Sequence, residues 1–592
     1  MSFTLEGHAV APGIAIGRVH LAESNELEIG EHRIGEDDVE KEIHRYRNAV
    51  RAAREQLLEI ANRIDPSVAA PAVEIIQSHV LMLSDSKIRQ STEDHIRREL
   101  CNAEWALQSQ LEQILSEFRS IEDDYIRTRG EDVTQVVRLV QSKLGDEAAS
   151  GPFENIPDRL ADTLVVAMDL TPGELAILHQ RGVAGIVTEH GGPHSHTAIL
   201  SSSLGIPAVL GVHGARSLLK ENDMLILDGG LGIIFADPDQ ATLDHYQEVR
   251  KEAEQFRRSL ISLRNRRAVS LDGVKISLQA NAERSEELKQ SLAVGADGIG
   301  LYRTEFLYLQ GSPPDEEEQL AEYLSALELL DGASLTIRTL DFGADKSTDA
   351  IDFSQLRRAA NPALGLRAIR LCLRDTALFM TQLRAILRAS ATGKVRCLIP
   401  MITSVQEIRT VRSLLQEAKD QLDQRNQAYD KDMQLGGMIE VPAAALAIDD
   451  LGQELDFISV GTNDLLQYAL AADRGDEQVA HLYDLQHPGV VRLLRYILRE
   501  AELLDLPATV CGEAAGDPRN TRFWLALGLC NFSMHPGRLL EVKRVVRETD
   551  VSAAREVLKA WLKDPTLSRD SSLLELLDQS QPSPSGQASG KS

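Results

Sequence analysis

Two parts of the sequence carry residues whose types and spacing suit chemistry. The first is Gly191 to Leu200, GGPHSHTAIL, where His194 and His196 lie two apart behind a glycine pair. Such a pair can be a metal-site fragment, two solvated loop residues, or a turn that presents one imidazole as a nucleophile. A neutral imidazole is a good nucleophile near neutral pH. The metal alternative has His190 as a third donor, but no cysteine lies nearby and the spacing matches no usual zinc pattern.

The second set is spread over the C-terminal half. Arg303 follows GIGLY, Arg338 closes LTIR, Glu440 closes GGMIE, Asn463 and Asp464 follow ISVGT, and Cys511 follows ATV, while Arg474 lies ten residues beyond Asp464. Arginines grip phosphate and carboxylate through forked, charge-assisted hydrogen bonds. Two carboxylates are a usual protein share of a Mg²⁺ site, with water and substrate oxygens completing the shell. The set therefore suits a small anion bearing phosphate and carboxylate groups. Taken singly, each arginine reads as a surface ion pair and the cysteine as a small core residue. Only convergence on one face lifts them above that.

The elements that must bring them together follow from periodicity. With 592 residues the chain is too long for one core. Residues 1–20 and 146–236 alternate short β-rich runs with turns, and DMLILDGGLGIIFADP reads as a hairpin about Gly229-Gly230. Residues 21–145 change to helical spacing, giving four inserted helices. Asp237-Pro238 reads as a helix start with Asp237 as cap, opening a mostly polar connector over 237–268. From 269 to 560 strands alternate with helices, and the length suits a (β/α)8 barrel. Seven strands stand out, from VKISLQAN to ATVCGEA, and a weak fourth is expected near NPALGLRAIR. The fold class is α/β multidomain. In such a barrel functional residues gather at the C-terminal strand ends, which is where the second set lies. Residues 561–592 end in a Pro/Ser/Gly/Gln-rich stretch and read as a largely disordered tail.

Composition removes other classes. The formal net charge of −27 argues against a nucleic-acid binder, which needs clustered Lys and Arg. No apolar run approaches a membrane span, and no basic segment leads into an apolar core as in a signal peptide. Five cysteines without CxxC spacing suit a reducing cytoplasm.

DFISVGTNDLLQYALAADR, Asp456 to Arg474, closely resembles the signature of the phosphoenolpyruvate-utilising enzymes. GGPHSHTAIL resembles their phosphohistidine loop. GIGLYRTEFLYL, RTLDFGADK, NPALGLRAIR, QLRAILRAS and CGEAAGD, with the order of domains, resemble the Enzyme I family of the bacterial phosphotransferase system. The resemblance runs from about residue 5 to 550.

It implies a swivelling phosphohistidine domain, an inserted partner-binding helical unit, a hinge about the connector, and a substrate-binding barrel. His196 matches the acceptor, being followed by Thr197-Ala198; His194 falls where the family usually has Thr, and Pro193 where Enzyme I is usually basic. Arg303, Arg338 and Arg474 resemble the anion-binding arginines, and Asn463 and Asp464 the substrate-contacting pair. Glu440 and Asp464 resemble the Mg²⁺ ligands, and Cys511 the acid/base that protonates the enolpyruvate methylene carbon. Arg367 falls in a family motif and is expected near the substrate. The implied reaction moves phosphoryl from phosphoenolpyruvate to His196, releases pyruvate, and passes the group to the histidine-containing phosphocarrier protein. QSHVLMLSD, with His79, resembles the segment that docks that carrier. A cytoplasmic homodimer through the barrel is also implied, serving sugar uptake or regulation.

Two rivals remain at this point. An ATP-dependent relative needs a nucleotide-grasp domain before the loop, where only about 190 residues stand, many of them helical. A catalytically silent scaffold would not need the complete set from His196 to Cys511.

Overall fold

Strand β1 (Phe3–Glu6) begins an eight-stranded sheet with β2 (His8–Ala11), β3 (Ile14–Leu21), β4 (Thr163–Ala167), β5 (Gly185–Thr188), β6 (Ala208–Leu210), β7 (Met224–Asp228) and β8 (Ile233–Ala236). The computed structural model describes residues 2–22, 30, 32–63, 66–84, 86–119, 124–145, 159–192, 195–308, 313–342, 361–473, 478–564, 566–567 and 571–581. Contacts divide the chain into two units, Met1–Gln255 and Phe256–Ser592.

In the first unit the strand order is β1-β8-β7-β3-β4-β5-β6-β2. The centre, β3 to β6, is parallel, and the flanking ladders are antiparallel. The expected hairpin is present: Asp228 Oδ1 accepts from the N–H groups of Gly230 and Leu231 at 3.0 Å each, holding the turn between β7 and β8. Between β3 and β4 the chain runs through α1 (Val39–Arg63), α2 (Pro66–Ser84), α3 (Ser86–Glu99), α4 (Ala103–Arg119) and α5 (Asp124–Leu144).

Helix α3 is additional to the four read from periodicity. SKIRQSTEDHIRRE is too polar to carry an apolar stripe, and its inner face includes buried Thr92 and Glu93. Arg47 on α1 meets Glu93 with two parallel bonds, Nε–Oε1 at 2.8 Å and Nη2–Oε2 at 2.7 Å. His79, in the segment that resembles the carrier-docking one, is buried. It is 4 % exposed, with Nε2 3.2 Å from Asp132 Oδ1 across the bundle.

Three further helices cover the sheet: α6 (Pro172–Gln180), α7 (His196–Leu204) and α8 (Ala215–Leu218). Thr171 and Glu174 form a capping box on α6, which starts with Pro172. Connector helix α9 spans Gln240–Ile261. Its cap is Asp239, whose Oδ1 accepts from Thr242 N–H at 2.8 Å, and not Asp237, which adopts φ 49°. Asp239 has its carboxylate on a first-turn N–H, which the Asp-Pro pattern alone does not reveal.

The second unit closes a parallel barrel: β9 (Ser277–Ala282), β10 (Gly298–Tyr302), β11 (Ser334–Arg338), β12 (Val395–Ile399), β13 (Gln434–Ile439), β14 (Phe457–Gly461), β15 (Ala508–Cys511) and β16 (Asn531–Met534), with β16 returning to β9. The eight-stranded barrel is as expected, but its strand count falls differently. NPALGLRAIR is not the fourth strand; it holds a short 3-10 turn at Pro362–Leu364 and the start of helix Ala368–Arg374. The missing strand is the eighth, NFSM, only four residues long and opening on a polar side chain, so it carries no legible β run.

Most of the core lies between strands and outer helices. The lumen is filled by Leu301, Leu398, Met438, Phe457 and Cys511, and the Arg396 guanidinium stacks 4.7 Å from the Phe457 ring centre. The tail starts later than residue 561: helix Val551–Lys563 continues through that point, and Leu573–Gln579 is a helix with Leu573 and Leu577 fully buried. Their i, i+4 spacing within LLELLDQ supplies the apolar seam. Residues 582–592 lie outside the described residues. Among the described residues no helix is long and apolar enough to cross a membrane.

Candidate active site

His196 is the first residue of α7. Ser195 caps the helix in an extended conformation: its Oγ accepts from Ala198 N–H at 3.3 Å and donates to the Gly192 carbonyl at 2.9 Å. Thr197 is buried and donates to the Leu170 carbonyl at 3.0 Å. The loop is thus tied from both sides of His196 by two hydroxyls. Asp169 lies beneath it; burial raises its pKa, opposed by the Leu170 N–H, His190 and Thr197 among its neighbours. For His196 the description covers the backbone alone, and Pro193 and His194 lie outside the described residues.

In the barrel, strand ends carry the second set. Arg303 follows the last residue of β10, Arg338 ends β11, Glu440 follows β13, and Cys511 ends β15. Asn463 and Asp464 open helix Thr462–Leu470 directly after β14. Arg474 lies outside the described residues.

A chain of buried and part-buried charges joins several of them. Arg338 Nη2 is 2.8 Å from Glu305 Oε1, and Nη1 is 3.2 Å from Asp341 Oδ2. Arg367 grips Asp341 through Nη2 to both oxygens, at 2.9 and 3.0 Å, and reaches Asp464 Oδ1 with Nη1 at 3.4 Å. Burial works against both arginine charges, but the surrounding carboxylates outweigh it and raise both pKa values. Arg338 Nε is buried without a hydrogen-bond partner among the described residues. A charged donor short of an acceptor suits a site for an anion.

Glu440 is 1 % exposed, and its Oε1 accepts from Met401 N–H at 2.6 Å. Burial, then the charges of Asp464 and Asp341, push its carboxyl up to about 8, against the pull of Arg338. Two glycines allow this crowding. A Cβ on Gly461 would lie 2.7 Å from Glu440 Oε2. One on Gly512, whose φ is +99°, would lie 2.4 Å from Thr462 Oγ1.

Cys511 accepts from the Ser459 hydroxyl at 3.2 Å and faces the Val460 carbonyl at 3.5 Å. Burial pushes the thiol up to about 11. At neutral pH it holds its proton, as an acid must. A cavity of about 810 Å³ opens beside these strand ends, walled by Arg303, Asn463, Gly512, Glu283, Glu513 and other side chains. Arg338, Glu440, Asp464 and Cys511 are not on its walls.

The chain matches three parts of the PEP-utilising enzymes: the N-terminal part over residues 6–129, the mobile domain over 160–232 and the PEP-binding domain over 257–551. It is 41% identical to the phosphoenolpyruvate-protein phosphotransferase of Cupriavidus necator, over 92% of this chain and 94% of that one. The chain belongs to that family. The Listeria innocua member is 35% identical over 97% of this chain and 99% of its own. A solved structure titled as Enzyme I (nEIt) matches at 31% identity with a TM-score of 0.36, covering 42% of this chain and 99% of that one, so the family assignment rests on sequence.

For a family that uses a divalent metal, the donor chemistry fits. Glu440 and Asp464 supply two carboxylates, and a cation would relieve the repulsion that raises Glu440. Among the described residues no cluster of three or more His, Cys, Asp or Glu would hold an ion unaided.

Sequence reasoning missed the acids that position the arginines: Asp341, Glu305 and Glu283. Glu305 and Asp341 stand just beyond Arg303 and Arg338, yet only the fold shows which arginine each carboxylate holds, and Glu283 follows β9, whose end carries no other site residue. Ser459, two residues before the end of β14, was missed because it meets Cys511 on the adjacent strand β15, 52 residues away in sequence.

Proposed function

We propose that the chain takes the phosphoryl group from phosphoenolpyruvate onto His196, releases pyruvate, and passes the group to a histidine-containing phosphocarrier protein. The observation that carries this is the ladder Glu305–Arg338–Asp341–Arg367–Asp464, buried at its Glu305 end and part-buried at Asp464, beside Glu440 and Cys511. Similarity to phosphoenolpyruvate-protein phosphotransferases over 92% and 97% of the chain favours it over an ATP-dependent reaction.

Arg303, Arg338 and Arg474 bind the substrate's phosphate and carboxylate. Arg367 is braced by Asp341 and supports Asp464. Asn463 is oriented by Glu513, whose N–H donates to Asn463 Oδ1 at 3.1 Å. Glu440 and Asp464 would hold Mg²⁺, which supplies charge neutralisation on the substrate oxygens. An unprotonated imidazole nitrogen of His196 attacks phosphorus, and the bond to the enolate oxygen breaks. The Cys511 thiol gives its proton to the methylene carbon, leaving pyruvate. The helix start at His196 stabilises the phosphoryl group it receives. Helices α1–α5 are the surface that receives the carrier; buried His79 would act by shaping that surface, not by touching the partner.

The test is intact-protein mass measurement after incubation with phosphoenolpyruvate and Mg²⁺, without nucleotide. Wild type and His194→Ala gain ~80 Da and His196→Ala does not, on this reading. A full gain on His196→Ala sinks the acceptor assignment.

A further inference from the structure

One wall of the cavity carries a group that a site for a multiply charged anion should avoid. Glu283 hydrogen-bonds Arg303, its Oε1 accepting from Nη1. The pairing follows from the sheet. Tyr302 pairs in register with Ala282, so the next residues, Arg303 and Glu283, leave parallel strands side by side. Arg303 N–H donates to the Ala282 carbonyl at 3.0 Å, and Glu283 N–H to Glu287 Oε2 at 2.6 Å, fixing both backbones.

This pair differs from the other arginine–acid pairs of the site. The carboxylates holding Arg338 and Arg367 are enclosed, with Glu305 at 8% and Asp341 at 3% exposure. Arg303 and Glu283 remain 39% and 43% exposed and both line the cavity. The enclosed pairs pre-orient guanidiniums. The exposed one uses up donors that an incoming anion needs.

Resting on the proposed site, we infer that Glu283 is a built-in competitor for the substrate's anionic group at Arg303, and so sets affinity for phosphoenolpyruvate. The carboxylate must release Arg303 before a phosphate or carboxylate of the substrate can take its place. Removing the charge therefore tightens binding.

The measurement is calorimetric titration of phosphoenolpyruvate with Mg²⁺ into the full chain carrying His196→Ala, which blocks turnover. Adding Glu283→Gln should lower Kd about two- to fivefold, the range of a partly exposed ion pair. Adding Arg303→Gln should weaken binding, and Glu283→Gln in that background should change nothing further. Unchanged or weaker binding by Glu283→Gln alone overturns the inference while leaving the site reading intact. No phosphoenolpyruvate binding by any form, with no phosphoryl adduct on wild type, overturns the site reading and the inference with it.

Discussion

The loop at His196 and the strand ends of the barrel are fixed by opposite means. Around His196 two hydroxyls and a helix start do the holding, with Asp169 below. At the barrel, buried arginines and carboxylates alternate, each group stabilised only by its neighbours. A group that is loaded and then handed on gains from backbone N–H donors, which attract a phosphoryl group without gripping it as an ion pair would. A site that must discriminate and polarise a small anion gains from charges already desolvated and oriented. The barrel should accordingly be sensitive to single charge changes, and the loop tolerant of them.

The largest effect expected on the barrel side is chemical. Cys511→Ala should slow pyruvate formation by about 10²–10⁴-fold while phosphoenolpyruvate affinity stays nearly constant. Stopped-time pyruvate detection decides it, and an undiminished rate would reduce the cysteine to lumen filling. Next comes Asp341→Asn, which strips the shared partner from Arg338 and Arg367. Breaking such buried pairs should destabilise the barrel by about 3–5 kcal/mol, read as a fall in urea midpoint. A loss of only a few tenths would mean the ladder does not depend on its middle rung.

A tenfold effect is expected from pH. Between the ordinary value of 4.5 and about 8, the folded barrel keeps a proton on Glu440 that the unfolded chain has released. Raising pH through that window therefore lowers the stability of the metal-free barrel. Divalent metal must expel the same proton, so its affinity should rise by up to about tenfold per pH unit below about 8, then level off. Metal titrations at successive pH values check this; a flat profile would remove Glu440 from the ligand set. The smallest effect belongs to the loop. Ser195→Ala should cost about 1 kcal/mol of local stability, seen as faster amide exchange in the first turn of α7, with barrel unfolding unmoved. A shift in barrel unfolding would erase the contrast between the regions.

The legible part of the site was the part written at strand ends. Arg303, Arg338, Glu440 and Cys511 each close or follow a β run, and the sequence shows both run and residue together. Asp341 and Glu283 were not legible because their meaning lies in pairing. Glu283 acquires a partner only through the register of β9 with β10. Strand β16 escaped because a closed barrel supplies neighbours on both sides, so four residues suffice without strong β propensity of their own. Helix α3 escaped for a related reason: its inward face is secured partly by Arg47 and Glu93, and polar contacts leave no apolar period. The burial of His79 was not legible because its partner Asp132 lies 53 residues along the chain.

The short strand that closes the barrel also sets a clock. Ser533 Oγ meets Asn281 Oδ1, a partner 252 residues earlier. Until Asn531–Met534 has left the ribosome, β9 and β15 each keep an open edge, free to pair with another chain. Arg303, Arg338, Glu440, Asp464 and Cys511 have all been made by then. A chain released one strand early would carry every one of those groups and have no ring to aim them, only two edges inviting aggregation.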